Sequence, residues 1–229
     1  FHMTYMKEIP AQKHALEYLE NFFAQHPKQK VMVAGHSKGG NLAVYAASQI
    51  QLELQEKISA VYTYDAPGLQ AELTKSTGYQ DVIPKIHRYV PQGSVIGMML
   101  EAPDTPIVVK STALGGIAQH NTFSWLTEGH HFVQLEAISS ESLQIKDTLK
   151  EWVDSVPDEE LELYFDLFFG TILESGISSI NELSSKNAIE HVRQLVSQAQ
   201  TLKPEQVEIL KNLTQLLLDA RFQAWKNHF

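Results

Sequence analysis

At 229 residues, 43% of them hydrophobic and none of them cysteine, the chain has room for one domain or one domain with an elaboration; a disulfide framework and a thiolate site are excluded. The formal charge is −9 at pH 7 with no basic cluster, which argues against a nucleic-acid partner. The charge is uneven: residues 1–140 hold 12 acidic and 10 basic groups, residues 141–229 hold 15 and 8. No apolar run is long enough to span a membrane, and the greasiest stretch, residues 161–169, is short and carries Glu162 and Asp166.

From Pro10 to about His26 the spacing predicts an amphipathic helix, with Ala15, Leu16, Leu19, Phe22 and Phe23 on one stripe and Pro27 as its stop. A short strand follows at 31–34, then a Gly35-His36-Ser37-Lys38-Gly39 turn and a helix to about Glu53. Residues 58–64 read as a buried strand ending at the turn cluster Asp65-Ala66-Pro67-Gly68, and residues 69–80 as a short helix and loop. Residues 86–90 form a third strand, stopped by Pro91-Gln92-Gly93, after which Ser94 is placed to cap a short helix through Leu100. A small strand is expected at 105–110, and residues 111–135 are loop-rich. Helices are then expected at 141–154, 158–174, 179–200 and 204–227. Strand–helix alternation followed by a run of helices gives an α/β body, residues 1–138, with a helical appendage or lid, residues 139–229.

The turn at Ser37 carries the chemistry. A β-branched strand, Gly-x-Ser-x-Gly and a helix rich in small residues is the sequence form of a nucleophile elbow, in which a strained strand-to-helix turn presents the serine Oγ. Gly35 and Gly39 are expected to remove Cβ atoms that would collide at the turn, and Gly40 and Ala43 to let the helix approach the sheet. The N–H of Lys38, the residue after the serine, is the expected first oxyanion donor. A phosphate loop is excluded because Gly-x4-Gly-Lys-Ser/Thr spacing is absent.

Ser37 needs a base, and the base needs an acid to orient it. Of the ten histidines, His2, His14, His26 and His36 precede the serine or adjoin it. His36 in particular is expected to diverge from Ser37. His87 falls inside a strand, and His191 and His228 fall in the distal helices. His120, in the polar Gln119-His120-Asn121-Thr122 loop, is the leading base, with His130 or His131 as runner-up. That adjacent pair is a poor metal site, so no metal and no cofactor is expected. Asp65 is the leading acid because it ends the strand after the elbow helix, at the edge where parallel sheets build sites. Asp104 and Glu101 remain alternatives.

Residues 36–43, Tyr64-Asp65-Ala66-Pro67-Gly68 and Gln119-His120-Asn121 through Ser124-Trp125 together resemble the bacterial Mbeg1-like, or DUF2974, family of α/β-hydrolases, related to class 3 lipases. The resemblance covers roughly residues 1–135. It implies an α/β-hydrolase-like, mostly parallel sheet with flanking helices, Ser37 as nucleophile and His120 as base. Class 3 lipases carry the acid after the next strand, where this chain has Ser94. Asp65, one strand earlier, resembles the placement in pancreatic-type lipases. Several strands precede the elbow in such sheets, so the expectation is that the chain is part of a longer protein whose N-terminal strands associate with it and supply the second oxyanion donor. The expected activity is a serine hydrolase cleaving small-molecule or lipid-like acyl esters through Ser37, His120 and Asp65. Alternatives are a non-catalytic scaffold binding a partner, or an acyltransferase or thioesterase using the same residues. The expected compartment is the cytoplasm, with secretion left open.

Overall fold

The computed structural model describes residues 8–114 and 116–164, together with residues 3, 6, 167, 204 and 207. Helix α1 (Pro10–Gln25) begins where Pro10 at its first turn needs no donor partner. The Ile9 N–H is satisfied by Gln12 Oε1 at 2.9 Å, and Gln12 Nε2 donates to Asn41 Oδ1 at 3.0 Å, which ties the start of α1 to the next helix. Strand β1 (Val31–His36) leads into α2 (Lys38–Gln49). The helix expected to reach Glu53 stops at Gln49, because Ile50 and Gln51 turn extended; a separate short helix, α3 (Leu52–Gln55), follows. Strand β2 (Ile58–Tyr64) has the expected bounds. The short helices α4 (Ala71–Thr74) and α5 (Thr77–Val82) lead to β3 (Ile86–Pro91) and β4 (Ile107–Val109).

The sheet order is β1-β2-β3-β4-β7, with β1 to β4 parallel and β7 (Gln134–Leu135) antiparallel to β4. Parallel crossovers share one hand, so strands added in one direction place their helices on one face. That face holds the core, where Leu19 and Phe23 of α1, Val44 and Ala47 of α2, and Tyr79 and Val82 of α5 meet Ile58 and Val61. Full burial of a side chain the size of Phe23 contributes roughly 1.5–3 kcal/mol. The stripe read from the α1 sequence is the stripe that packs here: Leu19 and Phe23 are buried, and Ala15, Leu16 and Phe22 lie against them.

Ring pairs follow the parallel register across β2 and β3. Tyr62 stacks on His87 with centroids 4.8 Å apart, and Tyr64 on Tyr89 at 5.6 Å. The loop-rich stretch after β4 contains α6 (Gly116–Gln119) and a two-stranded hairpin, β5 (Thr127–Glu128) and β6 (His131–Phe132), whose Phe132 meets Tyr89 and Trp125 edge-on. Among the described residues β1 is the outer strand of the sheet and has no partner beyond it; its Met32 is 67% exposed.

Helix α7 (Ser140–Ser155) matches the helix expected at 141–154 and is capped by Ser139 Oγ, which accepts from the Ser142 N–H at 3.2 Å. It packs against a 3-10 turn at Ile96–Met98, and Lys150 bonds Glu101 at 3.0 Å. Residues 158–164 are helical; the remainder of the expected 158–174 helix, apart from Leu167, and the helices at 179–200 and 204–227, apart from Pro204 and Val207, lie outside the described residues. The fold is mixed α/β, with a mostly parallel central sheet and flanking helices. Among the described residues no helix is long and apolar enough to cross a membrane.

Candidate active site

Each residue singled out from the sequence follows the C-terminal end of a parallel strand. Ser37 follows β1 and Asp65 follows β2, while Ser94 lies after β3 and His120 after β4. Ser37 joins β1 to α2 with φ 55° and ψ −131°, a left-handed conformation that costs a non-glycine residue of order 1–3 kcal/mol. Its N–H is held by the Tyr64 carbonyl at 2.9 Å, and its own carbonyl accepts from the Gly40 N–H at 2.9 Å. Lys38 opens α2, so its N–H belongs to the first-turn donors without an intrahelical acceptor.

The glycines of the turn do not share the work as expected. A Cβ on Gly35 would lie 2.2 Å from the Gly39 backbone, and one on Gly40 would lie 2.5 Å from the Ala66 Cβ and 2.8 Å from the Gly35 carbonyl oxygen. A Cβ on Gly39 would meet nothing within 4 Å. The close approach is therefore made by Gly35 and Gly40, one from the strand and one from the helix. The Gly39 backbone lies against Gly35, but its own Cβ position points into open space.

Asp65 is 0% exposed and also adopts a positive φ, 43°. Its carboxylate is shared between two duties. Oδ1 accepts from Ser94 Oγ at 2.5 Å and from the Gly97 N–H at 3.1 Å, while Oδ2 is 2.7 Å from His120 Nδ1. The expected helical cap at Ser94 is a 3-10 turn instead: Ser94 Oγ accepts from the Gly97 N–H at 3.0 Å and donates its own hydroxyl hydrogen bond to Asp65 Oδ1. A Cβ on Gly97 would lie 2.6 Å from Asp65 Oδ1, so only glycine brings its N–H that close. Behind this turn, Arg88 Nη1 donates to the Gly97 carbonyl at 3.3 Å, and Arg88 Nε donates to Asp104 Oδ2 at 2.8 Å.

That ion pair is buried, with side chains 9% and 8% exposed. Removing the guanidinium strands the Asp104 carboxylate in the core. Arg88→Ala should cost about 3–5 kcal/mol of stability, read as a lowered urea midpoint at unchanged slope. Asp104 also accepts from the Tyr79 hydroxyl at 3.4 Å; burial, and then the charge of Asp104, raise the Tyr79 phenol well above the usual tyrosine range. Beside the site, burial followed by the neighbouring Tyr89 and Tyr62 phenols raises Tyr64 in the same direction.

His120 is held by the residue before it. Gln119 Oε1 accepts from the Gly93 N–H at 2.8 Å, its Nε2 donates to the Ala113 carbonyl at 3.1 Å, and its carbonyl accepts from Trp125 Nε1 at 2.8 Å. The His120 side chain is 20% exposed. Among the described residues neither Ser37 Oγ nor His120 Nε2 has a hydrogen-bond partner, so Asp65 and His120 are joined while His120 and Ser37 are not. Catalytic hydrogen bonds are often open in a ligand-free site and close on the bound substrate.

The other candidates stand apart. Asp104 is taken by Arg88, and Glu101 by Lys150. His130 and His131 are exposed on the β5–β6 hairpin, and His87 is stacked on Tyr62. His36, expected to diverge from Ser37, reaches the His120 loop: its Nε2 lies 2.9 Å from the His120 carbonyl, and the two rings lie 4.5 Å apart. Its place at the end of β1, beside the serine, is the sequence signal for that contact.

No curated protein and no solved structure matches the chain. A family model described as Mbeg1-like matches residues 1–170, beyond about residue 135, where the resemblance read from the sequence ends, and through α7. With nearly three quarters of its length matched, the chain belongs to the Mbeg1-like family.

Proposed function

We propose that the chain is a serine hydrolase that cleaves acyl esters on an α/β-hydrolase-like sheet. The observation that carries this reading is the buried Asp65 carboxylate 2.7 Å from His120 Nδ1, on the same sheet edge as a strained serine that opens a helix. In this reading His120 Nε2 takes the proton of Ser37 Oγ as that oxygen attacks the ester carbonyl. Asp65 holds His120 in the tautomer with Nδ1–H and stabilises the imidazolium that forms. The Lys38 N–H, at the positive end of α2, receives the developing oxyanion. His120 then returns the proton to the leaving alcohol. Water attacks the acyl-serine in the second half, giving a proton to His120 Nε2, which returns it to Ser37 Oγ as that bond breaks and the carboxylic acid leaves. The substrate class is a small-molecule or lipid-like acyl ester. A thioester or an alcohol acceptor would use the same residues, and product analysis with water and alcohol acceptors separates these cases.

A non-catalytic scaffold would draw its support from Ser94 standing where related lipases keep an acid. Ser94 Oγ donates to Asp65 Oδ1, which supports the acid at residue 65 rather than its loss. A fluorophosphonate probe tests the proposal. The protein should be labelled at Ser37, located by mass spectrometry of the modified peptide, and Ser37→Ala should take no label. A folded chain that remains unlabelled and cleaves no ester overturns it.

A further inference from the structure

We infer that His36 is a positioning residue for His120, acting through the hydrogen bond between its Nε2 and the His120 backbone carbonyl; the inference rests on the hydrolase reading above. A carbonyl oxygen only accepts, so His36 Nε2 carries the proton and donates across 2.9 Å. The rings of His36 and His120 meet at 4.5 Å and 33°, so the same side chain also lies against the imidazole. These two contacts join residues 84 positions apart, the last of β1 and one in the loop beyond β4.

The reason such a clamp matters lies in how His120 is otherwise held. Asp65 fixes Nδ1 and leaves Nε2 free to swing about that contact. Gln119 anchors its own backbone and side chain, one residue away. Among the described residues only the His36 donor reaches the His120 carbonyl itself. Because His36 adjoins Ser37 along the chain, a bond from its ring to the His120 backbone references the base to the nucleophile rather than to the distant edge of the sheet. An imidazole that must deliver Nε2 to Ser37 Oγ loses rate steeply when misplaced, since reacting groups held about 1 Å off cost up to about a hundredfold.

Three variants separate the donor from the ring. Gln retains an amide N–H near the Nε2 position, Phe keeps the stacked ring without a donor, and Ala keeps neither. His36 is exposed, so all three should fold with an unchanged melting midpoint. With p-nitrophenyl butyrate, His36→Ala and His36→Phe should each lower kcat about tenfold with KM nearly constant, and His36→Gln should recover most of the loss. The low-field proton resonance of His120 Nδ1–H should be sharp in the wild type and in His36→Gln and broadened in the other two. Wild-type kcat in His36→Ala, or His36→Gln as slow as His36→Ala, overturns the inference. A wild type that neither takes the fluorophosphonate nor cleaves the ester overturns the hydrolase reading instead. In that case the resonance alone decides for His36: the same line width in the wild type and His36→Ala ends the inference, and selective broadening upholds the clamp.

Discussion

Asp65→Asn should lower kcat toward acyl esters by about ten-thousandfold while the protein stays folded. The amide is isosteric with the carboxylate, so one side can still accept from Ser94 Oγ and the Gly97 N–H. The other side then presents an N–H2 group to His120 Nδ1 in place of Oδ2. A donor there forces the imidazole to carry its proton on Nε2, where it cannot accept from Ser37, and nothing stabilises the imidazolium. Asp65→Ala makes the contrasting case. It removes the acceptor altogether and leaves the Ser94 hydroxyl, in a residue 0% exposed, without the partner it donates to. That adds a stability loss of about 1–3 kcal/mol to the loss of rate. Steady-state kinetics beside urea unfolding tell the two apart: Asn slow and stable, Ala slow and destabilised. An asparagine variant that retains the wild-type rate removes Asp65 from the role of acid.

The contrast between these variants also marks where reading along the chain stops. Asp65 was legible because local rules suffice: an apolar strand after the elbow helix, ending in a carboxylate before Ala-Pro-Gly, puts that carboxylate at the edge where β1 and β2 both end. The α1 stripe and the bounds of β2 were legible for the same reason, since hydrophobic period and turn chemistry act over a few residues. The support of Asp65 was not. Ser94 and Gly97 are 29 and 32 residues away, and they meet the carboxylate only because β3 pairs beside β2 and a 3-10 turn brings the Gly97 N–H inward. Arg88 extends that chain of contacts to Asp104 through a buried pair that neither residue announces alone. The divergence of His36 from Ser37 is expected because neighbouring side chains on a turn point apart. That local rule says nothing of a loop arriving from beyond β4. Helical composition at residues 50–53 extends the expected helix to Glu53, while the extended backbone at Ile50 and Gln51 ends α2 and starts a new turn.

Gly35→Ala should prevent the elbow from forming, whereas Gly39→Ala should leave it intact and raise stability. Both residues flank Ser37 at the same sequence distance, so a motif treats them alike. In the structure the two positions are opposite in kind. The methyl at residue 35 would sit 2.2 Å from the carbonyl carbon and oxygen of Gly39 and 2.4 Å from the Gly40 nitrogen. All three are backbone atoms of the first turn of α2, so relief requires moving the helix off the sheet. That separation would also open the contact of Gly40 with Thr63 and Ala66, directly behind Asp65. The expected result is a protein that is insoluble or has lost its cooperative unfolding transition, and that takes no fluorophosphonate. At residue 39 the methyl meets nothing within 4 Å and the backbone is helical, so alanine only reduces the freedom of the unfolded chain. A gain of about 0.4–1 kcal/mol is expected, read as a raised urea midpoint. Reversed outcomes, with alanine accepted at 35 and rejected at 39, would mean that α2 approaches β1 through a different face, and the elbow at Ser37 would have to be redrawn.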